Sequence, residues 1–315
     1  FYFIFCSSWL YNLPLKENAD GDYKILIGTN ANPVYYHGQQ INGSLGYDID
    51  ESKQYNYATA FGIRTAAANS MATAWGLRSV ASGVASTAFG NKTIAKGDYA
   101  VAWGEQTKAS GNLATSWGSE TLASGRSTTA WGTETQATSN NATAWGWQSI
   151  ATGNQATAWG SHSKATGYQS TAWGSHSEAT GDLSTAFGNW SYANAKNSLA
   201  VAGGEVASDA ENGIAIGWYA NSTIKDGIAL GNGSVTTRTA GDTNAYGKGD
   251  STGNAWVSTS VALAVGKDAD VTRQITGVAA GSKDTDAVNV AQLKRAMEVV
   301  DNITKPTKFA ADAGD

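Results

Sequence analysis

Residues 129–160 read TAWGTETQATSNNATAWGWQSIATGNQATAWG, and the tetrapeptide TAWG returns at Thr129, Thr143 and Thr157. Working outward, an aromatic–Gly pair recurs with Phe61, Trp75, Phe89, Trp103, Trp117, Trp131, Trp145, Trp159, Trp173 and Phe187 as the aromatic. From Gly62 to Gly188 the glycines stand fourteen residues apart. Weaker copies follow at Gly203, Gly217 and Gly231, where Ala202, Ile216 and Leu230 precede the glycine. A fixed period sustained over so many copies marks a solenoid.

The phase within each copy names the local structure. Three residues after the Gly stands Ser or Thr, as at Thr107, Thr135 and Ser163, and five after it stands Ala, as at Ala109, Ala137 and Ala165. The residue between them is free: Lys108, Gln136, Lys164. Fixed and free positions alternate with period two, which is the strand period. A second Gly, as at Gly97, Gly125 and Gly153, lies seven residues after the first. Each coil therefore holds two short strands and two tight turns, with the glycines expected at the turns to supply positive φ. Stacked at about 4.8 Å per coil, the copies predict an all-β parallel solenoid about 58 Å long.

Side-chain volume suggests which face is inside. A large ring opposite small Ser, Thr and Ala side chains would fill a narrow roll. On that reading the ten aromatics are the repeat core. The flat strip of Ala74, Ala88, Ala102, Ala130, Ala144, Ala158 and Ala172 becomes the candidate interface with another chain. The reverse assignment, with the Trp column at the interface, is the alternative.

Composition excludes several function classes. The 315 residues carry 21 Lys and Arg against 26 Asp and Glu, a net charge of −5, so there is no basic surplus for nucleic acid or anionic lipid. The single cysteine, Cys6, forms no internal disulfide and rules out multi-Cys zinc clusters. No apolar run reaches the length of a membrane-spanning helix. The opening FYFIF reads either as the remnant of a signal peptide or as a buried first strand.

Catalytic chemistry finds no foothold. His37 stands alone; His162 and His176 occupy one coil position fourteen residues apart, where they should stack outward without a third ligand. Between Gly62 and Gly188 lie seven Lys or Arg and six Asp or Glu, all scattered, with no acid pair for glycoside hydrolysis. Calcium nonapeptides and phosphate-binding glycine loops are missing from the sequence. No catalytic, metal or cofactor site is expected, and no enzyme activity.

Past Gly231 a Gly/Thr/Asn-rich stretch leads to VALAVG, ending at Gly266, and then to VTRQITGVAAGSKDTDAVNVAQLKRAMEVV. In the latter, Val290, Leu293, Met297 and Val300 are spaced as a two-heptad coiled-coil seam, a second candidate interface. Thr285 or Asp286 is expected to cap the helix and Pro306 to end it. At the other end, residues 1–57 follow no repeat, although ILIG at Ile25–Gly28 reads as one degenerate coil. This segment is expected to cap the exposed edge of the rod. Its Tyr35, Tyr36, Tyr47, Tyr55 and Tyr57 equally suit a binding tip.

The stretch TRQITGVAAGSKDTDAVNVAQLK resembles the neck of trimeric autotransporter adhesins, the YadA-like surface proteins of Gram-negative bacteria, and the x-x-A-x-G repeat resembles their head. Family heads commonly read N-S-x-A-I-G where this chain reads A-T-A-W-G. The resemblance implies a left-handed parallel β-roll, three copies around one axis, and a neck leading into a coiled-coil stalk. It divides the chain into an N-terminal cap or tip (1–57), head repeats (58–232), a Gly/Thr-rich insert with a last strand (233–270), neck (271–292), stalk start (287–304) and the beginning of a further module (305–315). It implies a homotrimer on the bacterial surface, held by an anchor domain that this stretch does not include. The function implied is multivalent attachment to host matrix, host cells or other bacteria, with the ligand contact unassigned. A passive spacer or ice-binding rod without its own ligand, and a solenoid polysaccharide-cleaving enzyme, are the rival readings.

Overall fold

In this computed structural model the described residues are 58–241 and 249–304, together with the backbone of four strands nearer the N-terminus. Those strands are β1 (Leu15–Glu17), β2 (Tyr23–Leu26), β3 (Val34–Tyr36) and β4 (Gln39–Ile41). The FYFIF segment, Tyr47, Tyr55, Tyr57 and residues 305–315 lie outside the described residues.

From Thr59 onward the chain is a parallel β-solenoid. Each coil contributes a long strand, such as Thr129–Thr133, and a two-residue strand, such as Gln136–Ala137. The long strands form a 16-stranded sheet and the short ones a 12-stranded sheet. The register is one of identity: Thr129 pairs with Thr143, Ala130 with Ala144, Trp131 with Trp145 and Gly132 with Gly146. A fourteen-residue repeat that adds one coil per period must stack each residue on its own copy. β2 precedes the first coil, with Ile25 and Leu26 parallel to Thr59 and Ala60, and β1 lies antiparallel outside it. At the other end Leu263–Ala264 joins parallel to Ile228–Leu230.

The interior is made of the smallest side chains. Ala130, Ala137, Ala144 and Ala151 have no exposed surface, and neither do Ser149 and Thr135. The largest fully buried side chain among the described residues is Val206. The Trp column lies outside: Trp131 is 39% exposed and Trp145 38%. This corrects the assignment drawn from volume. Five small inward positions per coil already fill the space between two sheets joined by such short turns, and an indole has nowhere to go. Ala74, Ala88, Ala102, Ala130, Ala144, Ala158 and Ala172 are therefore core within one chain, not interface, and Phe61, Trp75, Phe89, Trp103, Trp117, Trp131, Trp145, Trp159, Trp173 and Phe187 are surface.

The turns also differ from expectation. The first glycine of each coil has positive φ, 130° at Gly132, and a Cβ there would meet the Gly146 carbonyl oxygen at 1.8 Å. The second glycine is required by space alone: a Cβ on Gly153 would sit 1.9 Å from the Gly167 carbonyl oxygen. The left-handed residues near φ 55° are non-glycines that, Ala202 apart, precede an inward position, such as Glu134 and Asn141. Their side chains point outward and meet their own copies in the next coil, as where Gln148 Nε2 donates to Glu134 Oε2 at 2.6 Å.

One coil departs from the period. Phe187 pairs with Val201 but Tyr192 pairs with Glu205, so thirteen residues replace fourteen across that turn. The aromatic column thus continues through Val201, not Ala202, and Ala202 takes the place of the turn glycine. The next turn gains two residues, so Leu199 pairs with Ile214 fifteen residues on, and the fourteen-residue spacing returns with Ile214 and Ile228.

Candidate binding surfaces

The outward side of the long strands carries the first candidate surface. From Trp103 to Trp173 successive indoles stack at 4.6–5.1 Å with interplanar angles of 3–6°. Phe61, Phe89 and Phe187 join at tilted angles. In-register stacking of one residue on its copy imposes this spacing, and each pair contributes about 0.5–1.5 kcal/mol beyond area burial. Beside the rings runs a column of Thr, with Val101 in one rung. Farther along, both columns become aliphatic: Leu199 and Val201, Ile214 and Ile216, Ile228 and Leu230. What the whole face shares is apolarity, not aromaticity.

A second column lies on the turn that follows the long strand. His162 and His176 stack at 4.7 Å, as their spacing predicts, and His176 stacks on Trp190 at 4.2 Å. Trp147 meets His162 edge-on at 4.6 Å. Each His Nδ1 lies within hydrogen-bond distance of the preceding Ser Oγ, 2.9 Å at Ser161 and 2.8 Å at Ser175. No group of three potential metal ligands occurs among the described residues. Sequence reading found the His pair but missed Trp190, although it stands fourteen residues after His176. Tyr219 stands two residues after Gly217, as Trp190 does after Gly188, and Trp218 one residue after it, as Trp147 does after Gly146.

The neck fastens the end of the roll through named side chains. Arg273 donates to Ser234 Oγ at 3.0 Å and to the carbonyls of Val265 and Asn232. Asp286 accepts from the backbone N–H groups of Ser282 and Lys283 at 2.9 and 3.0 Å. Those two bonds favour the ionised form and hold the carboxyl below its ordinary pKa. The helix that follows, α1 (Val290–Thr304), is capped by Asn289. Gln292 N–H donates to Asn289 Oδ1 at 3.0 Å and Asn289 N–H to Gln292 Oε1 at 3.2 Å, a reciprocal capping box. The expectation of Thr285 or Asp286 as cap is corrected, because Asp286 is engaged one turn earlier. Val290, Leu293, Met297 and Val300 share one side of α1 and are all more than half exposed in the single chain.

A stacked roll with an apolar outer face, fastened by a neck to a helix with an exposed apolar seam, defines a class of repeat rods that assemble from several copies of one chain. The family model of the YadA head domain repeat matches at 81–104, 95–116, 123–149, 151–177, 179–201 and 208–234, and that of the coiled stalk of trimeric autotransporter adhesin at 274–312. The chain belongs to the trimeric autotransporter adhesins. Among solved structures it is similar to the collagen-binding domain of Yersinia adhesin YadA, with 25% identity over 76% of this chain and 86% of that one and a TM-score of 0.22. No curated protein matches the chain.

The family is trimeric and surface-exposed, and its heads and stalks serve adhesion. No helix among the described residues is long and apolar enough to cross a membrane.

Proposed function

We propose that three copies close through the Thr/Trp face of the long strands and the seam of α1. The trimer then presents the short-strand sheet and the turns to host matrix or cell-surface molecules, attaching by many weak contacts and without catalysis. The observation that carries this reading is the continuous apolar column itself. Ten aromatic rungs pass without a break into Val201, Ile216 and Leu230. A glycan platform would need rings throughout, whereas a packing face between chains needs only apolar surface. Repetition on three chains then converts weak contacts into useful avidity.

Light scattering on the purified 32.6 kDa chain tests the assembly. The expected mass is three times that of one chain. Substituting Trp117→Glu, Trp131→Glu and Trp145→Glu together should give a folded monomer, because these side chains leave the interior untouched. Iodide should quench the tryptophans of that monomer more strongly than those of the trimer. A variant that remains trimeric would reassign the face. Binding of the trimer to matrix-coated surfaces or cells separates an adhesin from a passive spacer, which would bind neither.

A further inference from the structure

The shortened turn opens a cleft on the opposite side of the roll. Where each neighbouring coil carries a ring, this one carries only Gly203 and Gly204. The column His162, His176, Trp190 is therefore interrupted for one rung and resumes at Tyr219, whose N–H bonds to the Gly203 carbonyl. Trp190 has His176 stacked on one face and, among the described residues, no ring on the other. Tyr219 does not face Trp190 directly: its ring meets Trp218 edge-on at 5.2 Å. Trp218 lies over the bare backbone of Gly203, so close that a Cβ there would meet its Cε3 at 2.2 Å. The resulting cleft, about 450 Å³, is lined by Trp190, Tyr192, Glu205, Trp218, Tyr219 and Asn221.

Its chemistry is one-sided. The aromatic faces present the negative side of their quadrupoles. Glu205 adds a carboxylate, and no Lys or Arg lines the cleft. Burial and the charges of Glu178 and Glu205 push the Tyr192 phenol above its ordinary pKa. The groups thus favour a planar cation that donates hydrogen bonds and accepts none, which describes a guanidinium. Tyr192, Glu205 and Asn221 occupy the outward positions of the short strands, the sheet opposite the Trp ladder.

We propose that this cleft is a receptor site for an arginine side chain displayed by a partner protein, the guanidinium seated among Trp190, Trp218 and Glu205. The proposal deepens the adhesin reading and rests on the short-strand sheet facing solvent in the trimer. The probes are the peptides Ac-Gly-Arg-Gly-NH2, its lysine counterpart and its citrulline counterpart, in which a neutral urea replaces the guanidinium. The full chain is labelled with 5-fluorotryptophan and read by fluorine NMR, with Trp190 and Trp218 assigned from their Phe variants.

The arginine peptide should shift the Trp190 and Trp218 signals saturably and leave the ladder tryptophans unmoved. Citrulline should bind at least about fivefold more weakly, the scale of a cation–π contact at a partly exposed site. Glu205→Gln, an exposed and isosteric change, should weaken arginine binding while the coil stays folded. Equal binding of arginine and citrulline, unchanged affinity in Glu205→Gln, or saturation by methyl glucoside instead would overturn the proposal. Light scattering on the same samples reports the trimer separately. Failure to bind in an intact trimer counts against the cleft alone, whereas a monomer counts against the assembly.

Discussion

The roll and the neck hold themselves together in opposite ways. In the roll between Thr73 and Phe187 no single side chain carries the structure. Every coil repeats the same four or five small inward residues, and identical residues stack on one another. In the neck the chain has no interior to repeat, and Arg273, Asp286, Asn289 and Gln292 each make bonds that no other residue duplicates. Redundancy makes the roll insensitive to which residue faces outward and intolerant of any enlargement inward. The neck has the reverse character.

The largest expected effect lies inside the roll. Ala144 is fully buried with Ala130 and Ala158 above and below it, so Ala144→Leu brings three extra carbons into a space where nothing larger than Val is fully buried. Overpacking of this kind should cost about 3 kcal/mol or more. One residue away, Trp145→Leu should leave the monomeric roll standing and cost about 0.5–1.5 kcal/mol per lost stacking pair. Chemical denaturation of both variants in a monomer background made by Trp75→Glu, Trp103→Glu and Trp173→Glu, which keeps Trp131, Trp145 and Trp159 in place, checks the contrast. Similar losses at the two positions would mean that the inward and outward faces are not so distinct.

The same contrast explains how much could be read from sequence. Period, strand alternation and coil number were legible, because each is a property of spacing and TAWG repeats without drift from Thr129 to Trp159. The face assignment was not legible from volumes taken pairwise. Thr73, Ala74 and Trp75 alternate equally well in either sense, and only the width between the sheets decides which side is inside. That width shows in what the interior admits, where nothing larger than Val206 is fully buried. The column shift at Ala202 was hidden because Gly203 preserved the look of the repeat while the register moved by one residue. The capping box of α1 was present as Asn289 and Gln292, three apart, but Asp286 offered an equally plausible cap until its partners at Ser282 and Lys283 were known.

A middle-sized effect is expected where the two regions meet. Arg273 reaches three acceptors on the last turns of the roll, and its guanidinium lies against Gly231 at 3.1 Å from where a Cβ would stand. Arg273→Ala should release the junction at a cost of about 1–3 kcal/mol, since it removes hydrogen bonds from a charged group. The loss should be local. Amide exchange should quicken at Val235 and Lys267, whose N–H groups bond to Gly266 and Val271, and stay unchanged at Gln136 or Ile150 within the ladder. Quickening along the whole roll would show that the neck, not repetition, sets the stability of the coils.

The smallest effect separates the regions by pH. The buried polar residues of the roll are Ser and Thr throughout, so acid finds nothing to titrate in its interior. The neck has Asp286, whose folded pKa is lowered by the N–H groups of Ser282 and Lys283. A carboxyl with a folded pKa below its unfolded value stabilises the fold fully above the unfolded value, about 3.9. That contribution then fades as pH falls through the lower, folded value. The turn before α1 should therefore loosen below about pH 4 while the coils persist. Amide exchange at Ser282 and Lys283, compared with Ile150, follows the difference directly. Asp286→Asn should start from the loosened state at neutral pH and lose the acid dependence. The neck and its helix would then open as one local unit while the repeated Ala interior keeps the roll intact, and equal acid sensitivity at Ile150 and Ser282 would deny that separation.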